Sequence, residues 1–334
     1  MHPPTVIDVH CHLSTPETLS LAIPHRRPEY EPYELFIGED SKKRNKVMIS
    51  AISAQLTEPS ERIEYMMRMG VDVQGLSSSP SEYFYWVPPR LGLDLAKMQN
   101  DRMAQAAAEF PDRFVVFGAT VPMQDVDLAI TELDRAVDDL GAKGVQIGGT
   151  VNSHNLDEPR FRPFWQAVAA KGVPVILHPF GFPESHRFGE YFLVNCIGNP
   201  LETMTAATRL IFSGLFEELP SLRLVLLHGG GYLPFYVPRS DHTWEVRPEA
   251  RIRIPDHPPS HYVKKLWYDS LVFQPQYLRF LLDIVGTERV MLGTDYPFDM
   301  GESDPVGVID SVAGLSDDER QRLKGGTATA LFKI

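Results

Sequence analysis

Short β-branched and apolar runs recur along this chain with amphipathic stretches between them, the pattern of repeated strand-helix units on a parallel sheet. Eight such runs can be counted: Val6 to His10, Val71 to Leu76, Phe114 to Thr120, Gly144 to Ile147, Val173 to His178, Leu222 to His228, Leu266 to Leu271 and Arg289 to Asp295. Between the third and fourth, Val126, Ala129, Ile130, Leu133, Val137 and Leu140 recur at helical intervals and place one apolar stripe on a helix. Leu201, Met204, Thr208, Ile211 and Leu215 predict a second. Gly141 and Gly214 fall near the ends of these stretches, where a left-handed glycine commonly stops a helix. The alternation predicts an α/β fold, a closed (β/α)₈ TIM barrel, with residues 1–334 as one domain; periodicity alone also allows an open doubly wound sheet.

Two connections stand out. The segment 13–60 is too long to join a strand to its helix, and it carries Pro24, Pro28 and Pro32 among several charges. Such a segment reads as a lid or an insertion after the first strand. The stretch between Gly229 and Lys265 is also long, and rich in proline and arginine.

Composition narrows the class of partner. With 334 residues, 43% hydrophobic and 23% charged, the chain can bury a barrel-sized core and matches ordinary globular proteins. A net charge of −12 argues against a nucleic-acid or anionic-membrane surface, since those partners need clustered Lys and Arg. A small molecule fits better; if anionic, it must be met by a few local cations. No apolar run reaches the ~18 residues of a membrane span, and the opening MHPPTVIDVHCH lacks the basic and apolar regions of a secretory signal, so a cytoplasmic location is expected. Cys11 and Cys196 are too few for a disulfide framework and are expected to be reduced thiols.

The candidate chemistry lies at the ends of the apolar runs. His10 and His12 are two apart on the first strand, so both imidazoles face one side while Cys11 faces the other. Two surface histidines could share that spacing by chance. What changes the picture is that His178 ends VPVILH, His228 ends LRLVLLH and Asp295 ends RVMLGTD. In a barrel, all of these strand ends open on the C-terminal face, where such folds place catalytic groups. Reading each as an isolated polar residue capping a strand requires a separate coincidence at every position. Imidazoles and a carboxylate suit Zn²⁺, with Mn²⁺, Fe²⁺ or Co²⁺ conceivable at the same site. No lysine ends the fourth strand to bridge a second ion, so one ion is expected.

With those residues placed, the chain resembles the amidohydrolase superfamily, and within it the 2-amino-3-carboxymuconate-6-semialdehyde decarboxylases and their relatives. The resemblance rests on DVHCH at 8 to 12, GVQIG at 144 to 148, HPF at 178 to 180, HGGG at 228 to 231 and GTDYPF at 293 to 298. It implies that His10, His12, His178 and Asp295 hold the metal and that His228 is a general acid/base. It also implies that Arg239 meets a substrate carboxylate, in some relatives across a homodimer interface. Arginine suits that task because its planar fork binds a carboxylate through two hydrogen bonds.

Two departures bear on the substrate. Phe180 and Gly181 stand where the decarboxylase proper has tryptophan and aspartate, and Ser50 aligns approximately with a substrate-holding arginine. Phe180, Trp86 and the neighbouring Tyr83, Phe84 and Tyr85 would then form an aromatic wall suited to a planar ring, although such a run commonly belongs to a core. The expected activity is therefore non-oxidative decarboxylation of an aromatic or muconate-like carboxylic acid, without a redox cofactor. A hydrolase of a small amide or lactone, with Asp295 relaying a proton, uses the same residues, and a non-catalytic metal-binding barrel remains a third reading. The other histidines, 2, 25, 154, 186, 242, 257 and 261, lie outside strand ends and are expected to be solvated or structural; His186 and Arg187 alone lie in a loop that could approach a substrate.

Overall fold

A computed structural model describes residues 5–334, so His2 falls outside the described residues. Each of the eight apolar runs overlaps a strand, the first two strands extending past the ends of their runs. The strands are β1 (Ile7–Leu13), β2 (Val73–Ser78), β3 (Phe114–Gly118), β4 (Val145–Ile147), β5 (Val175–Leu177), β6 (Leu224–Leu226), β7 (Trp267–Asp269) and β8 (Val290–Met291). All pair in parallel, in one group of β1-β2-β3 and another of β4-β5-β6-β7-β8. Two seams join the groups. Ala119, just past β3, bridges to Val145, and Tyr296, past β8, bridges to Cys11. The result is a (β/α)₈ barrel rather than an open sheet.

The strands read as nearly continuous apolar runs because both faces are covered. Ile7, Val9, Phe117, Ile176, Val225, Leu227 and Met291, from strands around the whole ring, touch one another and so fill the interior. Ala328, Leu331 and Phe332, from the last helix (Thr327–Phe332), close this interior from below. The opposite strand faces, including Cys11, Leu13 and Leu76, pack on Leu133, Leu210, Leu278 and Leu281 of the surrounding helices.

Helix Val126–Asp138 starts at Asp125, whose side chain accepts the Leu128 N–H, and it buries Ala129, Leu133 and Ala136. Gly141 and Gly214 both have positive φ. Helix Asn199–Phe212 shows a different face from the predicted one: Thr203, Ala206, Ala207, Leu210 and Ile211 are buried, whereas Leu201, Met204 and Thr208 are half-buried. Small side chains let this helix approach the barrel closely, and a stripe traced from large residues alone misses that.

The segment 13–60 is largely helical, with helices Pro16–Ala22, Pro32–Phe36, Glu39–Ala51 and Ser53–Thr57. Its prolines open helical turns, where a missing N–H costs nothing: Pro16, Pro28 and Pro32 each stand at a first turn. The stretch after Gly229 is likewise helical, with Leu233–Val246 and Pro259–Val263. Among the described residues no helix is long and apolar enough to cross a membrane. Both cysteines are free, Cys11 buried and Cys196 exposed.

The floor of the interior is a testable element. Phe117 is fully buried and stacks on Phe332, with ring centroids 3.9 Å apart. Phe117→Ala is expected to lower unfolding free energy by about 3–5 kcal/mol, read by urea unfolding. A loss under 1 kcal/mol would show that the C-terminal helix does not seal the barrel.

Candidate metal centre

β1 carries His10 and His12 to the upper rim. Its pairing with β2 slips by one residue between Asp8 and Cys11. Bulges of this kind re-aim side chains beside active sites. Here Ile7 and Val9 lie in the interior, Cys11 and Leu13 lie in the outer layer, and His10 and His12 meet the other site groups. His178 directly follows β5, His228 follows β6 by two residues, and Asp295 lies just beyond β8. Ring centroids of His10, His12 and His178 lie 4.9 to 5.2 Å apart, and His228 is 4.9 Å from His10 and 5.0 Å from His178.

Asp295 sits between them. Its Oδ1 is 3.0 Å from His12 Nε2, 3.2 Å from His10 Nε2 and 4.0 Å from His178 Nε2. Its Oδ2 faces His228 Nε2 at 3.6 Å. Ligating atoms of His10, His178, His228 and Asp295 all lie within 4.8 Å of one another, so these groups could hold a metal ion.

Tautomers can be assigned from the outer nitrogens. His12 Nδ1 lies 3.2 Å from the Ser78 carbonyl and His178 Nδ1 lies 2.8 Å from the Pro179 carbonyl. A carbonyl only accepts, so each Nδ1 carries the hydrogen and each neutral ring turns the Nε2 lone pair inward. Burial lowers the pKa of both rings, that of His178 to about 3, which keeps them neutral. His10 Nδ1 is 2.6 Å from Asp269 Oδ2. The Nε2 atoms of His10 and His178 are buried without a hydrogen-bond partner. Burial opposes protonation of His10, but Asp295 and Asp269 outweigh it and raise its pKa to about 10. Two buried carboxylates thus call for positive charge at this centre, and inward lone pairs with orphaned Nε2 atoms fit a divalent cation.

His228 differs from the others. Its side chain is 20% exposed, whereas those of His10 and His12 are fully buried. Its Nδ1 has no partner. His228 and Asp295 both adopt positive φ, 55° and 60°, a strained conformation for non-glycine residues that clusters at functional sites. The three glycines after His228 continue the left-handed turn, and a Cβ at Gly231 would lie 2.4 Å from the Pro200 carbonyl oxygen.

The remaining predicted residues are more scattered. Trp86 is 8% exposed, packs edge-on against Phe84, and lines a small cavity together with Phe180. Phe180 stacks on Tyr33 at 4.8 Å. Arg239 is exposed on helix Leu233–Val246 and has no ion-pair partner among the described residues. Ser50 lies exposed within helix Glu39–Ala51. His186 and Arg187 are exposed, as are His25, His242 and His257, while His154 and His261 are half-buried.

Sequence reasoning missed three supports, of which Asp269 and Arg62 are fully buried. Asp269, at the end of β7, accepts from His10 Nδ1 and also from the Gly229 N–H at 2.6 Å, so one carboxylate holds both His10 and the turn carrying His228. Arg62, fully buried, donates to the His12 carbonyl at 2.8 Å. Phe298 packs 5.5 Å from the His12 ring. A polar residue ending an apolar run, as Asp269 does in LWYDS, was the available signal.

The fold and the centre define a (β/α)₈ barrel whose clustered histidines and aspartate at the C-terminal strand ends could hold a metal ion. The amidohydrolase family signature matches residues 7–334, and the chain belongs to that family. It is 38% identical to 2-amino-3-carboxymuconate-6-semialdehyde decarboxylase of Dictyostelium discoideum over 277 residues, 83% of this chain and 77% of that one. It is 34% identical to gamma-resorcylate decarboxylase of Rhodococcus jostii over 265 residues, 72% of this chain and 77% of the other. Among solved structures it resembles dihydroxybenzoic acid decarboxylase of a Polaromonas species, with bound manganese and the inhibitor 2-nitroresorcinol. There the TM-score is 0.81 and identity 27%, with 99% of this chain and 97% of that one covered.

Asp269→Asn keeps the shape but gives up the charge. It is expected to weaken metal affinity about 10- to 100-fold, measured by competition with a chromogenic chelator. Unchanged affinity would mean that Asp269 serves the backbone turn alone.

Proposed function

We propose that this chain is a metal-dependent, non-oxidative decarboxylase of an aromatic or muconate-like carboxylic acid. The observation that carries the proposal is the asymmetry around Asp295. Three histidines face Oδ1, His12 and His178 with inward lone pairs, while His228 faces Oδ2, more exposed and with its Nδ1 unpartnered. His10, His12, His178 and Asp295 would hold one ion, Zn²⁺ by donor set, with Mn²⁺, Fe²⁺ or Co²⁺ suited to the same groups. Manganese in the Polaromonas relative supports including it. His228 is thereby left free for proton transfer.

The bound ion would orient the acid and polarise one of its oxygens. His228 delivers a proton to the ring carbon that bears the carboxylate. The C–C bond then breaks, its electron pair returns to the ring, and CO₂ leaves. Carboxylate plus proton become arene plus CO₂, so no redox cofactor enters the balance. Asp295, within reach of His228, steadies the imidazolium form between turnovers.

Phe180 and Trp86 line the small cavity beside the centre that would take a part of the acid, and the helical insertion at 13–60 acts as a cover through Tyr33 on Phe180. Arg239 lies on an exposed helix face that also carries Tyr232 and Tyr236, 38% and 56% exposed. That placement supports a homodimer in which Arg239 reaches the carboxylate of a substrate bound by the other subunit. The two free thiols are in keeping with a cytoplasmic enzyme.

Metal-loaded enzyme incubated with a series of hydroxybenzoates in D₂O is expected to release CO₂ and to place one deuterium on the carbon that lost the carboxylate. His228→Asn should lower kcat about 10²- to 10⁴-fold while retaining metal. Hydrolysed products without CO₂, from amide or lactone substrates, would overturn decarboxylation in favour of a hydrolase. Full activity in the His228→Asn variant would remove His228 from the chemistry.

A further inference from the structure

Glu202 looks unremarkable in the sequence, a polar position between Leu201 and Thr203. In the fold it is 2% exposed, on the barrel side of helix Asn199–Phe212. Its Oε1 has no hydrogen-bond partner. Burial raises its pKa to about 8, against an opposing hydrogen bond from Thr150, so at neutral pH the group is mostly a neutral carboxylic acid. The backbone makes room for it: a Cβ at Gly149 would lie 2.4 Å from Glu202 Oε1. A side chain at position 149 would displace the carboxyl.

Glu202 lines a cavity of about 50 Å³ with Gly148, Gly149, Tyr83 and Phe180. Its walls join the backbone that carries the metal centre, although none of the five donor residues there lines it. Tyr83 donates its hydroxyl to the His178 carbonyl at 3.1 Å, and Phe180 is two residues past His178. The walls are flat: Tyr83 stacks on Tyr85 at 7° and Phe180 stacks on Tyr33 at 17°. A volume of this size exceeds the roughly 10–15 Å³ that one water needs, yet is far below the ~300 Å³ of a typical ligand pocket. It admits a substituent, not a ring.

We propose that this cavity is a substrate subsite in which the Glu202 carboxyl accepts a hydrogen bond from a hydroxyl or amino substituent carried by the acid away from the carboxylate it loses. The proposal rests on the decarboxylase reading and names what that reading leaves open, the feature that separates one aromatic acid from another. An unpartnered buried acceptor is costly, and a substituent that satisfies it gains affinity. Sites built to hydrogen-bond a hydroxyl reject analogues lacking it far more strongly than apolar pockets reject a missing methylene.

The test compares Glu202→Gln, which keeps a carbonyl acceptor of the same shape, with Glu202→Leu, which does not. Full-length metal-loaded protein is assayed with 2-hydroxybenzoate and the four 2,x-dihydroxybenzoates for kcat/KM. The same proteins are titrated calorimetrically with phenol and resorcinol. In the unmodified enzyme at least one dihydroxy acid should be preferred over 2-hydroxybenzoate by about tenfold or more, and resorcinol should bind more tightly than phenol. Glu202→Gln should retain both preferences, whereas Glu202→Leu should bring both to within about twofold at unchanged metal content. If Glu202→Leu does not fold, Gly149→Ala, which crowds the same carboxyl, should give the same loss.

Preferences that survive Glu202→Leu, or equal binding of phenol and resorcinol by the unmodified protein, would overturn the subsite and leave the cavity to an ordered water. No CO₂ from any acid, with the resorcinol preference intact and dependent on Glu202, would instead remove the decarboxylase reading while retaining the subsite.

Discussion

The centre depends on one seam, where the last barrel strand meets the first. The Asp295 N–H donates to the His10 carbonyl at 2.7 Å and the His12 N–H to the Tyr296 carbonyl at 2.9 Å. Asp8 locks the same seam from below, its carboxylate accepting from the Thr294 hydroxyl at 2.6 Å, the Thr294 N–H at 3.1 Å and the Gln74 amide at 3.1 Å. Asp295 is 283 positions from His12. Only barrel closure sets its carboxylate between the histidines, so the centre forms no earlier than the whole ring.

Once closed, the upper rim concentrates groups that folding would otherwise avoid. Asp8, Asp269 and Asp295 are carboxylates buried among strand ends, and His228 and Asp295 hold strained backbone. Each is offset locally. Asp269 is held by His10 and the Gly229 N–H, and Asp295 by the surrounding imidazoles. Three glycines complete the turn after His228 at positive φ, where any other residue would add strain of its own. Apolar packing of the lower interior, sealed by Phe117 on Phe332, is the rigid base against which this arrangement is maintained.

The two ends of the barrel therefore do different work. Below, side chains interlock and exclude water. Above, imidazoles and carboxylates converge beside aromatic pairs, one of them Tyr33 from segment 13–60 stacked on Phe180. Glu202 belongs to this upper end although it comes from a helix rather than a strand.

The eight strands were legible because parallel strands covered on both faces are continuous apolar runs, and a histidine or aspartate ending such a run marks the rim. The period of two on β1 likewise turned His10 and His12 together without reference to any other part of the chain. Local pattern could not reach pairings between distant segments. Asp269 on His10, Arg62 on the His12 carbonyl and Glu202 against Gly149 join residues whose sequence neighbourhoods carry no trace of one another. Nor could it separate loop from helix at 13–60, because proline reads as a breaker wherever it stands and opens a helix only at the first turn. By itself, then, the sequence determined which residues end the strands, since side-chain alternation is local. Tertiary structure alone decided which of those ends face one another and which buried acids support them, because those contacts exist only after the ring has closed.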